Sequence, residues 1–170
     1  MNSTKRGEHL QALIRALDGG SGGEGYLEIL RTLEVPVAEL EPHAIWHPKH
    51  YTRNILAQRP GYELLLICFS PGQRTSIHDY DSAHAYVRPV LGEVVEERFR
   101  LDAGGRPELV RTTTLLPATI SHLGGGDSIH RFENVGDGRA MTLNLYAPPL
   151  RKWRVYDERS GSSSTRPPGA

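Results

Sequence analysis

The sequence is poor in cysteine, in net charge and in long apolar runs. Cysteine occurs once, at Cys68 inside the apolar run Leu64–Phe69. No intramolecular disulfide can form, so a reducing compartment is expected. Lys+Arg and Asp+Glu both number 20, giving a formal net charge of +0. That balance removes the electrostatic case for a nucleic acid or an anionic membrane as partner. No apolar run approaches membrane-spanning length, and the opening MNSTKRGEHLQAL holds no signal-peptide core, so a cytoplasmic protein with no membrane partner is the expectation. Internal repeats and heptads are missing as well.

What is present is turn-forming residues and short apolar segments. Glycine (18) and proline (12) together make about 18% of the 170 residues, against a usual figure of about 12%. This favours many short elements over a helix bundle. A chain of this length buries roughly two-thirds of its unfolded surface and needs no disulfide or metal to fold. Leu10, Leu13, Ile14 and Leu17 have the i, i+3, i+4, i+7 spacing of one helix face, which predicts a helix over Glu8–Asp18. Ser3 and Thr4 are its candidate N-caps, and Gly19–Gly20 offers a positive-φ stop. A second short helix is expected from about Tyr26 to Leu33. From Thr52 the period changes. ELLLICFS, HAYVRPVLG, EVVEERFRL, ELVRTTTLL, SIHRFENV and AMTLNLYAPP read as strands separated by Gly/Pro turns, the pattern of a β-sandwich or barrel. The expectation is a single all-β domain over 1–158, with a helical segment at 1–40 and a barrel from about 44. The polar stretch 159–170 is expected to be a disordered tail.

Among the eight histidines, His9 lies on a helix face, and His43, His47 and His50 lie in an irregular segment where imidazole is ordinary polar filler. His78 and His130 sit at the entrances of separate strands, and two such imidazoles can meet inside a barrel. Tyr80 shares a strand face with His78, being two residues on. Cys68 reads as a buried apolar filler rather than a nucleophile.

The stretch from Tyr51 to Leu150 resembles the cysteine dioxygenase family, the thiol dioxygenases of the cupin superfamily. The matching pieces are YTRN (51–54), SIHDY with DSAH (76–84), LGEVVEERF (91–99), DSIHRFEN (127–134) and LNLYAPPL (143–150), in the family's order. The resemblance implies a cupin jelly-roll barrel, preceded here by short helices and holding one mononuclear iron. It implies metal ligation at His78, Tyr80 and His130, substrate-carboxylate binding by Arg53 with Tyr51 beside it, and an active-site tyrosine at Tyr146. It also implies an oxidoreductase that takes dioxygen and a small cysteine-like, carboxylate-bearing thiol, expected as a monomer.

The chain departs from the family pattern at named positions. Tyr80 stands where the family has a second histidine ligand. A phenol binds a metal well where a positive charge stabilises its phenolate, which favours Fe3+ or Cu2+ over the Fe2+ otherwise expected. Two arrangements stay open: Tyr80 ligates, or it turns away and water or substrate completes the site. His84 is a third candidate by parity. Asn144 and Thr142 replace a histidine and a serine, and Ala85 stands where animal members carry a cysteine cross-linked to the tyrosine. Thiol dioxygenation is therefore weighed against two other functions. One is a divergent metal-dependent cupin oxidising another amino-acid-like molecule; the other is a metal-free small-molecule-binding cupin.

Overall fold

A computed structural model describes residues 7–20, 22–124 and 129–167. Three short helices lead into strands: α1 (Glu8–Asp18) and α2 (Glu24–Thr32), the two expected, and α3 (Val37–Leu40), which was not, the last followed by a 3-10 turn at Glu41–His43. No helix among the described residues is long and apolar enough to cross a membrane.

The cap of α1 differs from the expectation. Ser3 and Thr4 lie outside the described residues, and the residue flanking the helix is Gly7, at φ 90, which makes no side-chain cap. The exposed N–H groups of His9 and Leu10 instead donate to the Glu39 carboxylate of α3, both at 3.0 Å. An anion at a helix N-terminus also complements the macrodipole. The C-terminal glycines differ too. Gly19 is right-handed at φ −88. Gly20 is needed for space, because a Cβ there would meet Tyr26 Cε1 at 2.9 Å.

The strands are β1 (Thr52–Gln58), β2 (Glu63–Phe69), β3 (Ile77–Tyr80), β4 (His84–Leu91), β5 (Val94–Leu101), β6 (Pro107–Leu115), β7 (Ser121–Gly124), β8 (Ile129–Glu133), β9 (Ala140–Ala147), β10 (Trp153–Tyr156) and β11 (Ser163–Arg166). They form two antiparallel sheets, ordered β1-β2-β9-β4-β7 and β11-β10-β3-β8-β5-β6. This is the expected mostly-β barrel with short N-terminal helices. Pro89 interrupts β4, and the register shifts between Pro89 and Leu91, as a residue without an N–H requires inside a sheet.

Every residue of β2 is buried, and the reason is two-sided cover. Leu64, Leu66 and Cys68 face the helices, while Leu65, Ile67 and Phe69 face the space between the sheets. Burial pushes the Cys68 thiol up, so this residue packs as filler on the helix side.

The tail differs from the expectation. Ser163–Arg166 pairs with β10 in the register Trp153↔Arg166 to Tyr156↔Ser163. Asp157 Oδ1 organises the turn by accepting from the N–H groups of Arg159 and Ser160, and Gly161 takes φ 71. All four β11 residues are exposed. Composition therefore gives no sign of the strand, which backbone hydrogen bonds to an open sheet edge hold in place.

Leu66 is fully buried between β2 and the helices. Leu66→Ala should cost about 2–5 kcal/mol, transfer and cavity terms together. Urea unfolding should show it as a lower midpoint at unchanged slope.

Candidate functional site

His78 of β3 and His130 of β8 are direct partners across the antiparallel pair. Their rings lie on one face, with centroids 4.6 Å apart. Tyr80 follows on the same face of β3, its ring 4.8 Å from His78 and 5.2 Å from His130. The three residues singled out from the sequence therefore meet inside the barrel.

Hydrogen bonds assign the imidazole protons. His78 Nδ1 is 2.6 Å from the Ser76 carbonyl, which can only accept, so the proton sits on Nδ1 and the lone pair on Nε2. That Nε2 accepts from the Tyr80 hydroxyl at 2.6 Å. His130 Nδ1 donates to Glu96 Oε1 at 3.1 Å. Its Nε2 is buried and has no partner among the described residues. Burial, reinforced by the neighbouring His130, holds His78 well below the ordinary imidazole range. Burial also lowers His130, against the pull of Glu96. Two neutral imidazoles thus point lone pairs into one small volume, each pinned at its other nitrogen, an arrangement characteristic of metal-binding histidines. The residues present fit a metal ion held by His78 and His130 with Tyr80 beside them. Among the described residues no group of three or more His, Cys, Asp or Glu side chains is so arranged, and the group beside the two imidazoles is the Tyr80 phenol.

The Tyr80 hydroxyl ends a chain of hydrogen bonds with one polarity. On β9, Thr142, Asn144 and Tyr146 alternate onto the interior face. Thr142 Oγ1 donates to Asn144 Oδ1 at 2.7 Å, and Asn144 Nδ2 donates to Tyr146 Oη at 3.1 Å. Tyr146 donates to Tyr80 Oη at 3.3 Å. Burial, then the neighbouring Tyr146, keeps the Tyr80 phenol well above its usual range. Ala85 lies directly opposite Tyr146 in the β4–β9 register, so no sulfur stands at that position.

Arg53 enters from β1. Its guanidinium lies 5.1 Å from the Trp153 ring and 5.9 Å from the Tyr146 ring. It makes no side-chain hydrogen bond or ion pair among the described residues. Tyr51 stacks on Phe69 at 5.5 Å and forms the adjoining wall. Glu63 is buried with Oε2 unpartnered, and burial raises its carboxyl against the pull of Arg53.

Other histidines lie elsewhere. His84 shares its face of β4 with Tyr86, which belongs to the helix-side core, and its Nδ1 is 3.4 Å from His122 Nε2. It is therefore not the replacement ligand that parity allowed. His9 bonds Glu39 at 2.7 Å, and His47 stacks on His50 at 3.8 Å.

Two contributors were missed from the sequence. Glu96 is 2% exposed and holds His130, Ser121 and Arg98. Burial alone would raise its carboxyl, but His130, Arg98 and Ser121 keep it below the ordinary range. The signal available was its parity with Val94 in EVVEERF. Trp153, 5.4 Å from His78, had no local signal.

The family model for cysteine dioxygenase type I matches residues 25–159. The chain belongs to the cysteine dioxygenase family of the cupin superfamily. It is 30% identical over 122 residues to cysteine dioxygenase type 1 of Danio rerio, covering 68% of this chain but 60% of that protein. It is 28% identical over 137 residues to the Rattus norvegicus enzyme of that name, covering 78% and 68%. Among solved structures it resembles a double-stranded β-helix protein of Klebsiella pneumoniae (TM-score 0.59, 14% identity, 69% of this chain and 94% of that one). It also resembles a cupin superfamily protein of Desulfitobacterium hafniense (TM-score 0.50, 19% identity, 66% and 88%). These two likenesses concern the fold. In this member of the dioxygenase family the motif carrying His130 is partly described, since Asp127 and Ser128 lie outside the described residues.

Glu96→Ala should leave the His130 Nδ1–H and the Ser121 hydroxyl without their acceptor and cost about 1–3 kcal/mol, measurable by urea unfolding. Glu96→Gln, which keeps one acceptor oxygen, should cost less.

Proposed function

We propose that this cysteine dioxygenase family member is an iron-dependent thiol dioxygenase, adding both atoms of dioxygen to the sulfur of a small carboxylate-bearing thiol to give the sulfinic acid. The observation that carries the reading is the buried, unpartnered Nε2 of His130, its ring held by Glu96, beside the lone pair of His78. His78, His130 and Tyr80 would hold the iron. Bound iron supplies the coordination of thiolate and dioxygen side by side that the reaction needs.

The chain's own residues do the rest. Arg53, which acts on the buried Glu63 carboxyl but forms no ion pair among the described residues, binds the substrate carboxylate and sets the thiol's direction toward the histidines. Tyr51 and Trp153 wall that position and exclude water. Tyr146 donates its one hydroxyl hydrogen to Tyr80 beside the reacting centre, its own oxygen held by Asn144. Asn144 orients but cannot relay a proton, so the hydroxyl proton of Tyr146 stays local.

A second reading rests on Tyr80. If its hydroxyl gives up the proton shared with His78, the resulting phenolate is a hard anion that favours Fe3+ or Cu2+. The chemistry would then shift toward another oxidation of an amino-acid-like molecule.

His130→Ala and His78→Ala should each lose bound iron by elemental analysis while keeping a β-type circular dichroism spectrum; full iron occupancy in either variant would defeat the site. Arg53→Ala should weaken turnover of cysteine by about 2–5 kcal/mol, the penalty of an unpaired buried carboxylate. Cysteamine, which has no carboxylate, should be little affected; equal losses would remove Arg53 from substrate binding. Tyr80→His should raise ferrous affinity and abolish any visible phenolate-to-metal absorption band. Unchanged iron affinity would mean that the phenol does not ligate.

A further inference from the structure

The tail strand β11 brings a second arginine to the mouth of the barrel. Arg166 is the direct partner of Trp153 across β10–β11, so both side chains leave the same face of the sheet. That face is the interior one, because Trp153 packs against His78 and under the Arg53 guanidinium. Burial pushes the Tyr51 phenol above its usual range, and the charges of Arg53 and Arg166 both pull against that rise. Away from Trp153 and Arg53, Arg166 also borders an open cleft of about 500 Å³ along β11, lined by Arg74, Ser76, Asp157 and Glu158.

Two features are unexplained by the fold. Arg53, only partly exposed, makes no side-chain hydrogen bond or ion pair among the described residues, whereas the exposed Arg166 leaves its guanidinium to solvent. Trp153 is 6% exposed, yet its indole N–H is buried with no acceptor among the described residues. A buried unpaired donor of this kind costs about 1–3 kcal/mol, a cost that a bound acceptor would relieve. One carboxylate can occupy Arg53, which leaves the Trp153 N–H and Arg166 beside it with no occupant.

We infer that Arg166 and the Trp153 indole N–H form a second anion-binding position next to Arg53, so that the barrel takes a small thiol bearing two carboxylates in preference to one bearing a single carboxylate. The inference rests on the proposed role of Arg53 and adds the substrate class. Arg53 takes one carboxylate and Arg166 the other, with the indole N–H donating between them. Arg166 reaches the mouth because residues 163–166 form a strand.

The test uses the iron-loaded full-length protein and two pairs of probes. Succinate and propionate lack sulfur and report binding by calorimetry. Mercaptosuccinate and 3-mercaptopropionate report turnover by oxygen uptake. Wild-type protein should bind succinate at least tenfold tighter than propionate, and kcat/KM should favour mercaptosuccinate by a similar factor, mostly through KM. Arg166→Gln should collapse both preferences, and Arg166→Lys should restore part of them. Trp153→Phe, which removes the N–H but keeps an aromatic ring, should reduce the succinate preference without loss of iron. Equal binding of the two acids by wild type, or a preference that survives Arg166→Gln, would overturn the inference. Arg53→Ala separates the two readings: loss of propionate binding upholds the role of Arg53 whatever Arg166 does. Propionate binding unaffected by Arg53→Ala would refute the Arg53 reading itself.

Discussion

The site depends on the pairing of His78 with His130 across β3 and β8. Side chains alternate along a strand, so a slip of one residue would turn one imidazole out of the barrel and bring its neighbour in. The register is held from both sides. β8 pairs with β5 from Val95↔Glu133 to Phe99↔Ile129, and β3 pairs with β10 from Trp153↔Tyr80 to Tyr156↔Ile77. The same two ladders set Glu96 diagonally against His130 and put Trp153 on the interior face. One alignment thus supplies both imidazoles, the carboxylate that orients one of them and the aromatic wall beside them.

Polarity inside the barrel is organised by donors and acceptors more than by paired charges. The hydrogen bonds run from Thr142 through Asn144, Tyr146 and Tyr80 to His78 and end on the Ser76 carbonyl, each group donating onward. In a low-dielectric interior such a chain holds each side chain in one orientation, because any reversal would leave a buried donor unmatched. Against this satisfied chain stand the lone pair of His130, the indole N–H of Trp153, one oxygen of Glu63 and the guanidinium of Arg53, none with a hydrogen-bond partner among the described residues. They border the same space, and binding chemistry concentrates where the internal hydrogen bonding stops.

The departures from the family pattern have a common physical theme. Tyr80, where the resemblance implies an imidazole, offers a phenol that must lose a proton to bind a metal strongly. Asn144 keeps the contact to Tyr146 but not the ability to carry a proton through. Ala85 keeps the register opposite Tyr146 but offers no sulfur to it. Tyr80 and Asn144 each make a hydrogen bond and Ala85 only holds its place in the register, while all three differ in acid–base or redox capacity from the residues the resemblance implies. The fold tolerates such exchanges because packing is indifferent to pKa.

The sequence by itself determined whatever depends on neighbours in the chain. The spacing of Leu10, Leu13, Ile14 and Leu17 is a property of one helical turn after another, and α1 follows it. The apolar run of β2 and the Gly/Pro punctuation from Thr52 onward likewise reflect local burial. The five family motifs carried His78, Tyr80, His130, Arg53, Tyr51 and Tyr146 as a set. Tertiary structure decided the rest. Glu39 caps α1 from about 30 residues away, and Gly20 is glycine because Tyr26 comes to it. Ser163–Arg166, polar enough to read as disordered, becomes a strand because β10 leaves an open edge. Glu96 and Trp153 join the site through register with strands far off in sequence. Periodicity records which side of its own element a residue faces, whereas register between elements decides which residue it meets there.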